Sequence, residues 1–209
     1  MKTITLDPAR IGPAVEAAVA ALRDGGVVLF PAERLYGLAA DARSSAAVRR
    51  VYALKGRDAG KPSPVLVGDA EMAAEWAVIA PALAGLVRRF WPGPLTLVLP
   101  VRRALAPEVS ATEEVGVRVP GNPFALEMAR GFGAPVTATS ANESGAASGR
   151  TVADALAGLA GEPDLAVDGG ELPGPPGSTV ARWRGHQLEI IRPGIIPSAL
   201  LQESILRQA

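Results

Sequence analysis

Cysteine is absent from the 209 residues, and histidine occurs once, as His186. Disulfides, thiolate nucleophiles and cysteine metal sites are thereby excluded. One histidine leaves no material for a His-rich metal centre and makes a Ser-His-Asp triad a poor fit, although His186 alone could serve as a base. A cysteine-free chain suits the cytoplasm. Aromatic residues make up only 4% of the chain, so Val, Leu, Ile and Ala must fill the core. Charge of either sign is not in excess: 21 basic residues face 21 acidic ones. No basic tail or block of like charge is present, so whole-chain electrostatics do not favour nucleic acid, and any anion site must be local. Long apolar runs are also missing, because Pro, Gly or a charge interrupts each well short of a membrane span. The segment Met1–Arg10 carries Lys2, Asp7 and Arg10 and does not read as a signal peptide.

What remains is an ordinary globular composition, 48% hydrophobic and 20% charged, enough for one sizeable core. Pro13 opens a helical pattern that runs to Asp24 and ends at Gly25-Gly26. Val27–Phe30 reads as a buried strand, and Pro31–Ala42 as a loop. Ser44 or Ser45 caps a second helix with Val48, Val51 and Leu54 on its apolar face. Pro64–Val67 and Leu95–Leu99 are strands, with helical segments at Glu71–Trp76 and Pro81–Phe90 between them. Val115–Val119 alternates around Arg118. Asn122 caps a helix with Pro123 at its first position. Pro135–Thr139 is a strand delivering Ser140-Ala141-Asn142 to its end. Thr151 caps a helix through Leu159, Leu165–Val167 is a strand, and Glu171–Gly177 is a Pro/Gly loop. Thr179–Trp183 and Gln187–Ile191 form a hairpin turning at Arg184-Gly185-His186. Pro197 starts a final helix. Strands and helices mix throughout, which predicts a mixed α/β (α+β) fold: a single domain over 1–209, core about 12–196, around one twisted mixed sheet.

Three segments carry candidate chemistry. Lys55-Gly56-Arg57, followed by Lys61, gathers cations at a helix end. Alternate residues of an extended segment point the same way, so Lys55 and Arg57 can converge on one anion. They could equally be cations favoured by a helix C-terminus. Ser140-Ala141-Asn142, with Ser144 and Ser148 behind, presents hydroxyls and an amide at a strand end, suited to phosphate or ribose oxygens, or to a plain polar turn. Gly177-Ser178-Thr179 and Ile191-Arg192-Pro193-Gly194 bring an arginine to the end of an apolar strand, as a phosphate grip or a rim charge. Arg118 either faces solvent or holds a carboxylate.

Taken in order, Pro31-Ala-Glu-Arg-Leu-Tyr-Gly-Leu38, Lys55-Gly-Arg57, Trp91-Pro-Gly-Pro-Leu-Thr96, Val115-Gly-Val-Arg-Val-Pro120, Ser140-Ala-Asn142, Ser178-Thr-Val180 and Ile191-Arg-Pro-Gly194 resemble the YrdC-like family over nearly the whole chain. The resemblance implies a mixed, twisted sheet with a concave basic cavity. It implies a nucleotidyltransferase activity: threonylcarbamoyl-AMP and pyrophosphate made from ATP, bicarbonate and L-threonine, for N6-threonylcarbamoyladenosine in tRNA. It also implies that Lys55, Arg57, Ser140 and Asn142 form the catalytic set. Arg57, Lys61, Ser140, Ser148 and Arg192 would meet ATP. Arg34, Leu66, Arg118, Ala138 and Ser178 would line the amino-acid site, with Arg118 on the carboxylate. Mg²⁺ would arrive with ATP, since nothing resembles a dedicated metal cage. The expected partners are ATP, bicarbonate, L-threonine, weakly bound RNA and downstream tRNA-modifying proteins, in the cytoplasm and away from membranes. The extra C-terminal domain of longer relatives is expected to be missing.

The family motif near the first strand usually carries two hydroxyl residues, where this sequence has Ala32 and Arg34. Arg34 replaces a residue that normally helps hold the amino acid, and a frequent His of the next strand aligns with Leu66. Glu33, its neighbour on an extended loop, points away and is a poor partner for it. Arg34 is therefore expected to turn toward solvent or toward ATP phosphates. Two other readings stay open: a paralogous carbamoyl-adenylate enzyme with another substrate, and a non-enzymatic RNA-binding or ribosome-associated module.

Overall fold

The computed structural model describes residues 1–56, 62–110, 113–142 and 149–206. The expected helices form on their apolar spacing, several of them with a capping side chain as well. Helix α1 (Gly12–Arg23) buries Ala14, Ala18, Val19 and Leu22. Helix α2 (Ser45–Leu54) starts at Ser44, whose Oγ accepts the Ala47 N–H at 3.3 Å. Its apolar face is Val48, Val51 and Tyr52, rather than Leu54, which is only partly buried. Helix α3 (Ala70–Trp76) is capped by Asp69, and α4 (Ala84–Phe90) follows a 3-10 turn at Pro81–Leu83. A short helix absent from the sequence reading, α5 (Pro107–Ser110), packs on α2. Asn122 caps α6 (Pro123–Phe132), as its spacing before Pro123 predicts. Thr151 and Asp154 close a capping box on α7 (Val152–Ala157), and α8 (Ser198–Leu206) ends the described chain.

The strands form two sheets, not the single sheet expected. The first contains β1 (Lys2–Thr5), β2 (Val28–Pro31), β3 (Tyr36–Ala39), β8 (Thr139–Ser140) and β9 (Leu165–Asp168), in the order β1-β9-β2-β3-β8. The second contains β4 (Val65–Leu66), β5 (Leu95–Pro100), β6 (Glu114–Arg118), β7 (Val136–Thr137), β10 (Thr179–Arg184) and β11 (Gln187–Arg192), in the order β11-β10-β5-β6-β4-β7. Parallel and antiparallel pairs occur in both sheets, as a mixed architecture requires.

The strand expected at Pro135–Thr139 is where the two sheets meet. Its first half, β7, pairs antiparallel with β4, and its second half, β8, pairs antiparallel with β3. Between them the Ala138 N–H donates to the Pro64 carbonyl at 2.8 Å, and the Thr137 N–H to the Ala40 carbonyl at 2.9 Å. The buried Thr137 hydroxyl accepts from the Ala40 N–H and donates to the Leu38 carbonyl, tying the crossing point to β3. The region Pro31–Ala42 is not all loop, because β3 forms a hairpin with β2. Gly37 makes that hairpin possible: a Cβ there would lie 2.9 Å from the Phe30 ring. Strand β1, also unforeseen, pairs parallel with β9 and buries little beyond Ile4. No helix among the described residues is long and apolar enough to cross a membrane.

Candidate active site

Period-two alternation sets the cleft wall. On β5, Leu95, Leu97 and Leu99 go to the core while Thr96 and Val98 face a cavity of about 800 Å³. On β6, Val115 and Val117 are buried while Glu114, Gly116 and Arg118 line the cavity. On β10, Thr179 and Ala181 turn inward while Val180 and Arg182 line it. The opposite side comes from Glu33–Gly37, Thr139 and Ser140. The predicted residues Arg34, Leu66, Arg118, Ala138, Ser140, Ser178 and Arg192 all line this one cleft. Arg57, Lys61 and Ser148 lie outside the described residues. His186 lies at the exposed hairpin turn, away from the cleft-lining residues.

Arg118 holds a carboxylate. One of its terminal nitrogens pairs with Glu33 Oε2, and its Nε donates to the Gly93 carbonyl at 3.0 Å. Glu33 Oε1 accepts the Gly121 N–H at 2.6 Å. Arg192 donates to both the carbonyl and the hydroxyl of Ser178, at 3.0 and 3.1 Å, and the Ser178 hydroxyl lies 2.9 Å from that of Thr96. Partial desolvation, and then the nearby Arg118 cation, push the Arg192 guanidinium below its ordinary pKa. Farther along, Arg182 pairs with Glu114 at 3.1 Å. Among the described lining residues, four arginines (34, 118, 182 and 192) stand against two glutamates (33 and 114), so the cleft is cationic in a chain with no net charge.

Lys55 and Asn142 take a different place from the one their spacing suggests. Both are buried behind the cleft, and neither lines it. The Lys55 ammonium donates to the Ser140 carbonyl, to the Asn142 carbonyl at 2.7 Å and to Asn142 Oδ1 at 3.1 Å. Ser140 Oγ donates to the same Oδ1 at 2.5 Å. The reading in which Lys55 points with Arg57 onto an anion is therefore corrected for Lys55: its charge fixes the Ser140–Asn142 turn. Ser140 is the member of that set that reaches the cleft.

Arg34 lines the cleft and, as expected, does not pair with Glu33, but it is not turned out to open solvent. Its Nε donates to the Gly174 carbonyl at 2.6 Å and its Nη2 to the Pro175 carbonyl at 3.2 Å, while the Gly174 N–H donates back to the Arg34 carbonyl. The Pro/Gly loop 171–177 is thus fastened across one side of the cleft. Tyr36 holds its root, donating to the Gly170 carbonyl and accepting from the Gly169 N–H. Burial pushes the Tyr36 hydroxyl up to about 12, opposed by the Gly169 N–H and reinforced by Asp168. Arg150 holds the loop's first residues through the Leu172 carbonyl and Glu171. Glu33, Thr96, Gly116 and the Glu114–Arg182 pair were missing from the sequence-derived site. The alternation that singles out Arg118 puts Glu114 and Gly116 on the same face, so that signal was present; nothing local announced the Glu33 contact across 85 positions. Among the described residues no group of three His, Cys, Asp or Glu is gathered to hold a metal.

Known proteins carry the same fold and sequence pattern. A family model described as "Telomere recombination", for the Sua5/YciO/YrdC family, matches residues 20–194. The threonylcarbamoyl-AMP synthase of Bacillus subtilis is 38% identical over 196 residues, covering 92% of this chain and 57% of that protein. The mouse threonylcarbamoyl-AMP synthase is 38% identical over 203 residues, covering 93% of this chain and 71% of its own. The crystal structure of Pyrococcus abyssi Sua5 complexed with L-threonine superposes with a TM-score of 0.91 at 32% identity, covering 98% of this chain and 61% of that one. Escherichia coli YciO shares the fold, with a TM-score of 0.81 at 22% identity over 94% of this chain and 96% of that one. The chain spans 57% of the Bacillus protein, 61% of the Pyrococcus one and 71% of the mouse enzyme. Arg118, Ser178 and Arg192 in one cationic cleft, the Lys55-fixed Ser140 turn, and a family match over residues 20–194 agree: the chain belongs to the Sua5/YciO/YrdC family.

Proposed function

We propose that the chain makes L-threonylcarbamoyl-AMP and pyrophosphate from ATP, bicarbonate and L-threonine, for N6-threonylcarbamoyladenosine in tRNA. The observation that carries this reading is the convergence of Arg118, Arg192 and Ser178 in one cleft opposite Ser140. Such a site suits two anions at once, a carboxylate and a polyphosphate. Threonine amine and bicarbonate give a carbamate with loss of water. A carbamate oxygen then attacks the α-phosphorus, and the bond to pyrophosphate breaks. Positioning and fixed positive charge are the main requirements of such a step, and no thiolate or histidine is needed. Arg192 and Ser140 would hold phosphate oxygens, joined by Arg57, Lys61 and Ser148. Arg118, Ser178, Ala138 and Leu66 would border the amino acid. Mg²⁺ would be carried by the ATP phosphates. The names of the Bacillus and mouse relatives, and the L-threonine in the Pyrococcus structure, support the same substrate class. Cytoplasmic action with downstream tRNA-modifying proteins fits this chemistry.

The test is pyrophosphate release with ATP, bicarbonate and each amino acid in turn. Release that requires bicarbonate and is greatest with L-threonine is expected. Release with another amino acid only would assign the protein to a paralogous carbamoyl-adenylate reaction. No release with any amino acid would remove the enzymatic reading.

A further inference from the structure

Sequence and family resemblance assign Arg118 to the amino acid's carboxylate but assign no group to its ammonium. Within the cleft only two carboxylates are available among the described residues, Glu33 and Glu114. Glu33 is in contact with Arg118, and their side chains are only 21% and 14% exposed. Each has capacity left. A carboxylate offers about four lone-pair positions, and among the described residues Glu33 uses one on each oxygen, for Arg118 and for the Gly121 N–H. A guanidinium has five N–H groups, and among the described residues Arg118 spends only those aimed at Gly93 and Glu33.

We propose that Glu33 and Arg118 form a zwitterion clamp, with Glu33 receiving the ammonium of an α-amino acid while Arg118 receives its carboxylate. The proposal rests on the function proposed above and names the group that selects an α-amino acid over other carboxylates. The geometry suits the ligand. In an α-amino acid both charged groups sit on one carbon, with N and carboxylate carbon about 2.5 Å apart. A contact ion pair presents opposite charges side by side, so each can face the opposite charge of the zwitterion. A zwitterion laid head to tail on it gives four charges of alternating sign. The gain is larger in a partly dry cleft than in water. Gly121 and Gly93 fix the pair from behind, so little ordering remains to be done on binding. Glu33 is then a binding residue in its own right and not only a brace for Arg118.

The experiment compares L-threonine with 3-hydroxybutyrate, which is threonine without its amine, by calorimetry on the full chain with ATP present. The wild type should prefer L-threonine. Glu33→Gln keeps the side chain's shape and an acceptor for Gly121 but removes the charge. It should weaken L-threonine on the order of tenfold or more, leave 3-hydroxybutyrate within about twofold, and leave ATP affinity unchanged. Glu33→Asp should recover part of the discrimination. Equal weakening of both ligands in Glu33→Gln would mean that Glu33 acts only through Arg118, which overturns the clamp and leaves the proposed reaction standing. The same loss in Glu114→Gln but not in Glu33→Gln also overturns it. A wild type that binds no α-amino acid overturns both the clamp and the proposed reaction, while one that binds a different α-amino acid overturns only the threonine assignment and is tested for the clamp with that ligand and its des-amino analogue.

Discussion

Lys55 illustrates how a motif residue can spend its charge on the protein's own oxygens. Its stem and ammonium are buried, and the charge is met by two carbonyls and an amide oxygen. Lys55→Met removes the donor and leaves those acceptors buried. Each buried polar group left unpaired costs about 1–3 kcal/mol, so the variant should lose stability as well as pyrophosphate release. Urea denaturation would register this as a lower midpoint, and an unchanged midpoint would return Lys55 to a ligand-facing role. Arg34 reverses an expectation in the same way. Judged by sequence, Arg34→Thr restores a hydroxyl and improves threonine binding. With the guanidinium fastening Gly174 and Pro175, four and three residues before Ser178, the substitution releases the loop that leads to Ser178. The apparent KM for threonine should therefore rise, on the order of tenfold, and not fall. Steady-state kinetics at saturating ATP decide the sign.

Elements were legible where a local signal and the tertiary role coincided. Asn122 before Pro123, Ser44 before an apolar-faced helix, and the turn at Gly185-His186 each act through neighbouring backbone, so the sequence contains both partners. Strand β1 was invisible because its partner β9 lies about 160 residues away and its own burial is slight. The crossing at Ala138 was invisible for a related reason: it is defined by Pro64 and Ala40, not by anything in 135–139. Helix α5 belongs to the same class, and it matters because it anchors α2, the helix that presents Lys55. Glu108 of α5 accepts from Ser45 Oγ at 2.7 Å and Arg49 Nε at 2.6 Å, and its carbonyl accepts from Tyr52. Burial opposes ionisation of Glu108, but these donors outweigh it and hold its carboxyl below the ordinary range. A depressed folded-state pKa means a contribution present above the unfolded value, about 4.3, and lost as pH falls through the folded value. Glu108→Gln should lower stability at pH 7 by about 1–2 kcal/mol, since Arg49 is largely exposed and its share is screened. The gap between variant and wild type should close below about pH 4. A gap of constant size across that range in thermal melts would mean that the carboxylate charge is not what holds α5 to α2.

At the scale of the whole molecule, two sheets that meet at residues 136–140 leave a cleft between them, and the charge of the chain is unevenly shared. The total is zero, yet the described cleft residues carry an excess of two positive charges. That imbalance could serve a nucleotide or an RNA, and the two make different demands. RNA contact draws on many phosphates over a broad surface, so its affinity falls steeply with salt. A polyphosphate held by Arg192 engages few groups in a partly desolvated site, where screening is weaker. Arg118 lies close enough to Arg192 to disfavour its charge, and an anion held by Arg192 would offset that repulsion. ATP should therefore stabilise the folded chain. At a concentration one hundred times its Kd the linkage is about 2.7 kcal/mol. For a chain of this size that corresponds to a rise in Tm of roughly 5–10 °C. Arg192→Ala, which removes the contact to Ser178 as well, should abolish most of the shift at the same ATP concentration. Moderate salt should reduce the ATP shift only in part, while any shift caused by duplex or single-stranded RNA should vanish between about 50 and 200 mM salt. A shift from RNA that survives salt, with none from ATP, would make the cleft an RNA site and displace the adenylate chemistry.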